Sequence, residues 1–231
     1  MYTNEKKTGL LAGISLIVMA VVAGFSYGHV YNSLVVDSPE TTLQNLISNK
    51  SLYLAGVAGW VIIFLTDLIV ALALFGYFRR TAKQASLLTA VLRIVYTIIL
   101  GIGIVQLLRV IPLLSVDAVN ADAFAAFNVV LRLHLFETIW SLGLIIFGLH
   151  LIGLGYLSVK SGSVPSLLGY LLYLGGVLYV FVHVARQITS FDPDVVSKIE
   201  NIASLPMALG EIFLAFWLIY KGFRKEKGIA A

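Results

Sequence analysis

Eleven polar or ionisable side chains interrupt long apolar runs in this sequence, and they form two groups. One holds His29, Gln106, Arg109, His134, Glu137, His183 and Arg186; the other holds Asp67, Arg93, His150 and Glu211. Three histidines and a glutamate in the first group are the residue types that bind zinc or another divalent metal, so His29, His134, Glu137 and His183 make up a candidate outward-facing hydrolytic site. His29 and His183 also stand at similar depth, as a haem ligand pair would. The spacing argues against a metal: His134 and Glu137 give only H-x-x-E, without the second histidine of H-E-x-x-H. Interfacial hydrogen bonding accounts for the same residues, and the expectation is no metal and no other cofactor. Ser141 lies one turn beyond Glu137, and Thr66 is next to Asp67, yet no G-x-S-x-G elbow surrounds a nucleophile. Cysteine is absent, which removes disulfides, thiolate metal sites and thiol redox chemistry.

The elements that must position these residues are membrane helices. Of 231 residues 59% are hydrophobic and only 12% charged, about half the charged share of a soluble domain. Apolar stretches near or above the ~20 residues that cross a bilayer recur at about 8–30, 52–78, 86–112, 135–158, 164–186 and 205–221. This predicts an all-α polytopic membrane protein, one six-helix transmembrane domain over residues 1–231. The first span is too long for a signal-peptide core, and no A-x-A-like site follows it, so it reads as a retained helix. The formal net charge of +4 gathers at membrane edges and points to topology, not to nucleic acid.

Charge sets the expected orientation. Lys6, Lys7, Arg79, Arg80, Lys83, Lys160, Lys221, Arg224, Lys225 and Lys227 fall on one side with Glu5 and Glu226. Asp37, Glu40, Asp117, Asp122, Asp192, Asp194 and Glu200 fall on the other, with Lys50 and Lys198. The positive-inside rule therefore places both termini in the cytoplasm. The inner connections RRTAKQA and VKSGSV are tight, whereas the outer ones are long. Two outer loops carry helix-start chemistry. Ser38-Pro39-Glu40 opens TTLQNLIS and Asp192-Pro193-Asp194 opens VVSKIENIA, each with an apolar stripe, predicting short amphipathic helices that cover loop backbone or form a lid over an outward pocket. In the third, no breaker separates Asn120 from the fourth span, so that helix is expected to project beyond the bilayer. Small-x-x-x-small steps at Gly9, Gly13, Ala20, Gly24 and Gly28, with Gly148, Gly153, Gly155, Gly169 and Gly176, predict close helix packing, within one copy or between copies.

Depth then groups the second set. Asp67 is twelve residues from Arg79, Arg93 ten from Lys83, His150 ten from Lys160 and Glu211 ten from Lys221; at 1.5 Å per residue all four lie about 15 to 18 Å from the inner edge. Ionisable groups at that level pair with one another or face a cavity. The simplest pairing sets Asp67 on Arg93 and Glu211 on His150, a network that fixes helix register. The alternative is a proton or ligand site at the midplane.

FGLHLIGLGYL, VPSLLGYLLYLGGVLY and LPMALGEIFLAFWLIYKG, with the opening KKTGLLAGISLI and the loop NLISNKSLYLAGVAG ahead of Asp67, resemble the bacterial integral-membrane family catalogued as domain of unknown function 4386. His150, Gly169 and Glu211 match positions of that pattern. The resemblance implies a six-helix protein of the bacterial cytoplasmic membrane and assigns no reaction. The functional expectation is a non-enzymatic module that binds a lipid, a small amphipathic ligand or a partner protein in a polar-centred pocket. An intramembrane metal-assisted hydrolase and a small proton-coupled transporter are the alternatives. The expected partners are membrane lipids, a small amphipathic ligand and a second copy of the chain.

Overall fold

The computed structural model describes residues 2–114, 123–188 and 192–224. The expected acidic positions Asp117 and Asp122, the helix start near Asn120, and the tail residues Lys225, Glu226 and Lys227 lie outside them. Every regular element among the described residues is helical. Six helices are long and apolar enough to cross a membrane, the one open-ended architecture in which each backbone N–H and C=O finds its partner within the segment.

Helix α1 (Tyr2–Ala23) runs on through a π-helical stretch, Gly24–Tyr31, into the single turn α2 (Asn32–Leu34). A short α3 (Pro39–Ser48) follows, then α4 (Lys50–Phe78), α5 (Lys83–Val110), α6 (Ala123–Ser161), α7 (Ser166–Gln187) and α8 (Pro193–Phe223). The long helices neighbour one another in chain order, α1–α4–α5–α6–α7–α8, and α8 returns to α1. The bundle is thus a closed ring with one interior. Its outer surface is apolar, with Leu72, Ile98, Leu167 and Phe216 exposed, as lipid contact allows.

Tight turns join the helices at one end of the ring. Thr81 N–H donates to Phe78 O at 2.9 Å between α4 and α5. Between α6 and α7, Gly162 takes φ +60°, a left-handed conformation that glycine adopts without strain, and Ser161 Oγ accepts from Ser163 N at 3.2 Å. The first turns of α1 and the residue after α8 share this face, since Lys6 Nζ donates to Arg224 O at 3.2 Å and Arg80 pairs with Glu5 at 2.8 Å.

The opposite face carries the long connections. Ser38 caps α3 by accepting from Thr41 N at 3.2 Å, with Pro39 in the first turn where its missing N–H leaves no bond unmade. Leu43 and Leu46 of α3 are buried against the core, so this helix covers the end of the ring. The stretch entered at Asp192 is helical too, but it continues unbroken past Pro206 into the last membrane helix. Neighbouring helices make proline tolerable inside such a helix.

Glycine sets two of the ring contacts. On α6 and α7, a β-carbon on Gly176 would stand 2.6 Å from Gly148 O, and one on Gly155 would stand 2.8 Å from Gly169 O, so the two backbones touch. Gly24 and Gly28 behave otherwise: nothing lies within 4 Å of a β-carbon at either. Within one copy, this half of α1 packs by the side away from these two glycines. There Val30 and Ser26 press on Gly56 and Gly59 of α4, and the wider π-helical turn carries this half toward α4.

Candidate functional site

Arg93 is completely buried at the centre of the ring. It is held there because each nitrogen of its guanidinium has a partner. Nε donates to Asp67 Oδ1 at 2.8 Å, and Nη2 approaches the same oxygen at 2.7 Å. Nη1 donates to Glu211 Oε1 at 2.7 Å and to His150 Nε2 at 3.0 Å. Nη2 also points at Met19 Sδ, 3.6 Å away. The guanidinium lies 5.3 Å from the Phe147 ring centroid, within cation–π range. The hub ties α4, α5, α6, α8 and α1 together, and a fork of five fixed donors suits that task as lysine would not.

His150 is fully engaged as well. Its Nδ1 donates to Thr89 O at 2.8 Å, so Nε2 carries the lone pair that accepts from Arg93, and the ring is the neutral tautomer. The pairing expected from depth alone is corrected here: Glu211 is bound to Arg93 and not to His150. A single cation reaching two carboxylates pairs with one oxygen of each, whereas a Glu211–His150 pair would leave Arg93 with unused donors at a buried position.

Beside the hub, on the side of the long connections, lies a cavity of about 240 Å³ lined from all six long helices. Its walls are aromatic and aliphatic: Trp60, Tyr96, Trp140, Phe147 and Tyr179 face Leu16, Met19 and Met207. Small residues Ala20 and Ala23 of α1 and Ala208 of α8 also line it, and Ala208 is exposed. The polar floor is Asp67 and Glu211. Asp67 is entirely buried, yet its Oδ2 has no hydrogen-bond partner among the described residues. An unpartnered buried carboxylate oxygen carries a desolvation penalty of about 1–3 kcal/mol or more.

The other expected group does not gather into one site. His134 is exposed, its Nδ1 3.6 Å from Glu137, and His29 is exposed on the π-helical stretch. His183 is buried, its Nδ1 3.0 Å from Ser141 Oγ, which also accepts from Gln187 Nε2 at 3.1 Å. Gln106 accepts from Arg132 at 3.2 Å, Arg186 pairs with Glu200, and Arg109 is exposed. Among the described residues no three His, Asp or Glu side chains converge as a metal site would need. His29, His134 and His183 come from different helices whose rotation about their axes is set by packing, and that packing turns His183 inward and His134 outward.

Sequence reasoning missed the aromatic walls and Thr89. Trp140, Leu144, Phe147 and Leu151 recur at helical spacing with His150 on α6, so a stripe continuing from the histidine was the available signal. Nothing in the sequence marks a backbone carbonyl such as Thr89 O as a partner.

The family model described as "Domain of unknown function (DUF4386)" matches residues 11–222. The chain belongs to this family. An "Uncharacterized protein" of Archaeoglobus fulgidus is 28% identical over 166 residues, covering 72% of this chain and 83% of that protein. No solved structure matches the chain. Residues 11–222 include Asp67, Arg93, His150 and Glu211 and all but the outermost turns of the ring. For this DUF4386 protein, function has to be argued from the hub and the cavity themselves.

Proposed function

We propose that this protein is a non-enzymatic binding module of the bacterial cytoplasmic membrane, with both termini cytoplasmic, that holds a lipid or small amphipathic ligand in its central cavity. One observation carries the reading: an apolar cavity of about 240 Å³ has in its lining Asp67, a fully buried carboxylate with an unpartnered oxygen. The chemistry of the hub narrows the ligand. Each guanidinium nitrogen of Arg93 has a partner and both His150 nitrogens are used, so the free capacity of the hub itself is carboxylate oxygen, which only accepts, while the hydroxyls of Tyr96 and Tyr179 in the cavity lining can donate or accept. The hub holds one guanidinium against two carboxylates, a formal sum of −1 when both are ionised. A head that donates hydrogen bonds, a hydroxyl or an ammonium, complements it, and the aromatic walls suit either an ammonium or an apolar body.

Volume limits the occupant. Pockets for drug-sized molecules run about 300–1,000 Å³, so this one takes a small molecule or the end of a longer amphiphile entering between α1 and α8. The test is mass spectrometry of small molecules that copurify in mild detergent, followed by titration of delipidated protein with medium-chain alkyl amines and alcohols. Trp60 and Trp140 line the cavity and report binding by fluorescence. Saturable quenching that is lost on filling the mouth with Ala208→Trp supports the reading. No copurifying ligand, together with no saturable response to either series, refutes it.

A further inference from the structure

A second concavity, distinct from the central cavity, opens at the face that carries the first turns of α1, the end of α8 and the tight turns. It measures about 550 Å³, and its lining includes Lys6, Arg80, Lys160 and Lys221 from four different segments of the ring, with Glu5 as the one carboxylate among the described residues. Arg80 is paired with Glu5 at 2.8 Å, and the described lining residues sum to a formal +3 around one hollow. Tyr77 and Ser163, whose hydroxyls lie 3.2 Å apart, and Ser161 also line it, as do Gly9 and Leu218, which supply apolar surface. The positive-inside rule asks only that basic residues lie on one side of a membrane. It does not ask them to converge, and Lys7, Arg79, Lys83 and Arg224 of the same face do not line the hollow.

We propose that this pocket binds a phosphate group, as carried by the head of an anionic phospholipid. Cations from separate helices close on an anion with several acceptor oxygens, hydroxyls supply neutral donors, and the apolar surface meets the start of the acyl chains. Basic pockets between membrane helices bind anionic head groups in this way. Lys160 and Lys221 are placed to reorient toward a ligand, since Lys160 Nζ now rests 2.7 Å from Tyr156 Oη and Lys221 Nζ lies 5.9 Å from the Trp217 ring centroid.

The test is native mass spectrometry of the full-length protein in detergent, titrated with short-chain phosphatidylglycerol, short-chain phosphatidylcholine, inorganic phosphate and glycerol phosphate. Tighter binding of phosphatidylglycerol than of phosphatidylcholine is expected, and Lys160→Gln/Lys221→Gln should weaken it about 25-fold, from roughly fivefold per charge. Arg79→Gln/Lys83→Gln removes equal charge from the same face but outside the pocket, and should change affinity about twofold at most. Competition by inorganic phosphate or glycerol phosphate at similar concentration would assign the site to a soluble phosphate; absence of competition assigns it to the lipid. Equal losses in the two double variants, both with parental melting temperature, or equal binding of the two lipids, would overturn the proposal.

Discussion

Replacing Arg93 by methionine, a hydrophobic side chain of comparable length, probes the hub directly. The substitution deletes contacts to Asp67, Glu211 and His150 at 2.7 to 3.0 Å and leaves Asp67, entirely buried, with no cation near it. Breaking a buried pair by removing one partner costs about 3–5 kcal/mol, against a total stability of roughly 5–15 kcal/mol. For a chain of this size that is a fall in melting temperature of about 6–20 °C at ~2–4 °C per kcal/mol. The assay is thermal unfolding in detergent, followed by circular dichroism and by aggregation onset. The informative comparison is the triple variant Arg93→Met/Asp67→Asn/Glu211→Gln. Removing a whole buried charge set is often neutral, so the triple variant should recover at least half of the loss. A melting temperature for Arg93→Met within about 2 °C of the parent, less than 1 kcal/mol on that scale, would refute the reasoning. So would a triple variant no better than the single one, because the penalty would then be lost packing and not uncompensated charge.

Two further outcomes follow from the geometry. Gly176→Leu forces a side chain against Gly148 O and the Ile152 backbone, each under 3 Å from a β-carbon, and should destabilise by about 3 kcal/mol or more; Gly28→Ala, which meets nothing within 4 Å, should be neutral within about 1 kcal/mol in the same melt. The absence of native cysteine makes topology testable with single thiols: in intact cells a membrane-impermeant reagent should label Gln44→Cys on α3 and not Ser166→Cys at the start of α7 until the membrane is permeabilised, and the reverse pattern would invert the proposed orientation.

Much of the architecture was legible before any coordinates. Six apolar runs of bilayer length leave the backbone no alternative to helix in lipid, so element number and type follow from length and hydropathy alone. The cap at Ser38 and the turn at Gly162 were readable as local chemistry, because each depends on a few adjacent residues. Boundaries were less so. The stretch after Asp192 has the signature of a separate short helix, but a helix start followed by no stop continues, and α8 does.

The site divides along the same line. Rise per residue is a property of a helix by itself, so counting from Lys83, Lys160 and Lys221 places Arg93, His150 and Glu211 at one depth without knowledge of neighbours. Rotation about each helix axis is different, since it is set by what packs against the helix. Only the closed ring shows that Arg93 engages Asp67, Glu211 and His150 together, that Gly24 and Gly28 face open space, and that His134 and His183 point to different surroundings. Depth was determined by the sequence; azimuth, and with it the cavity beside Asp67, was decided by tertiary packing.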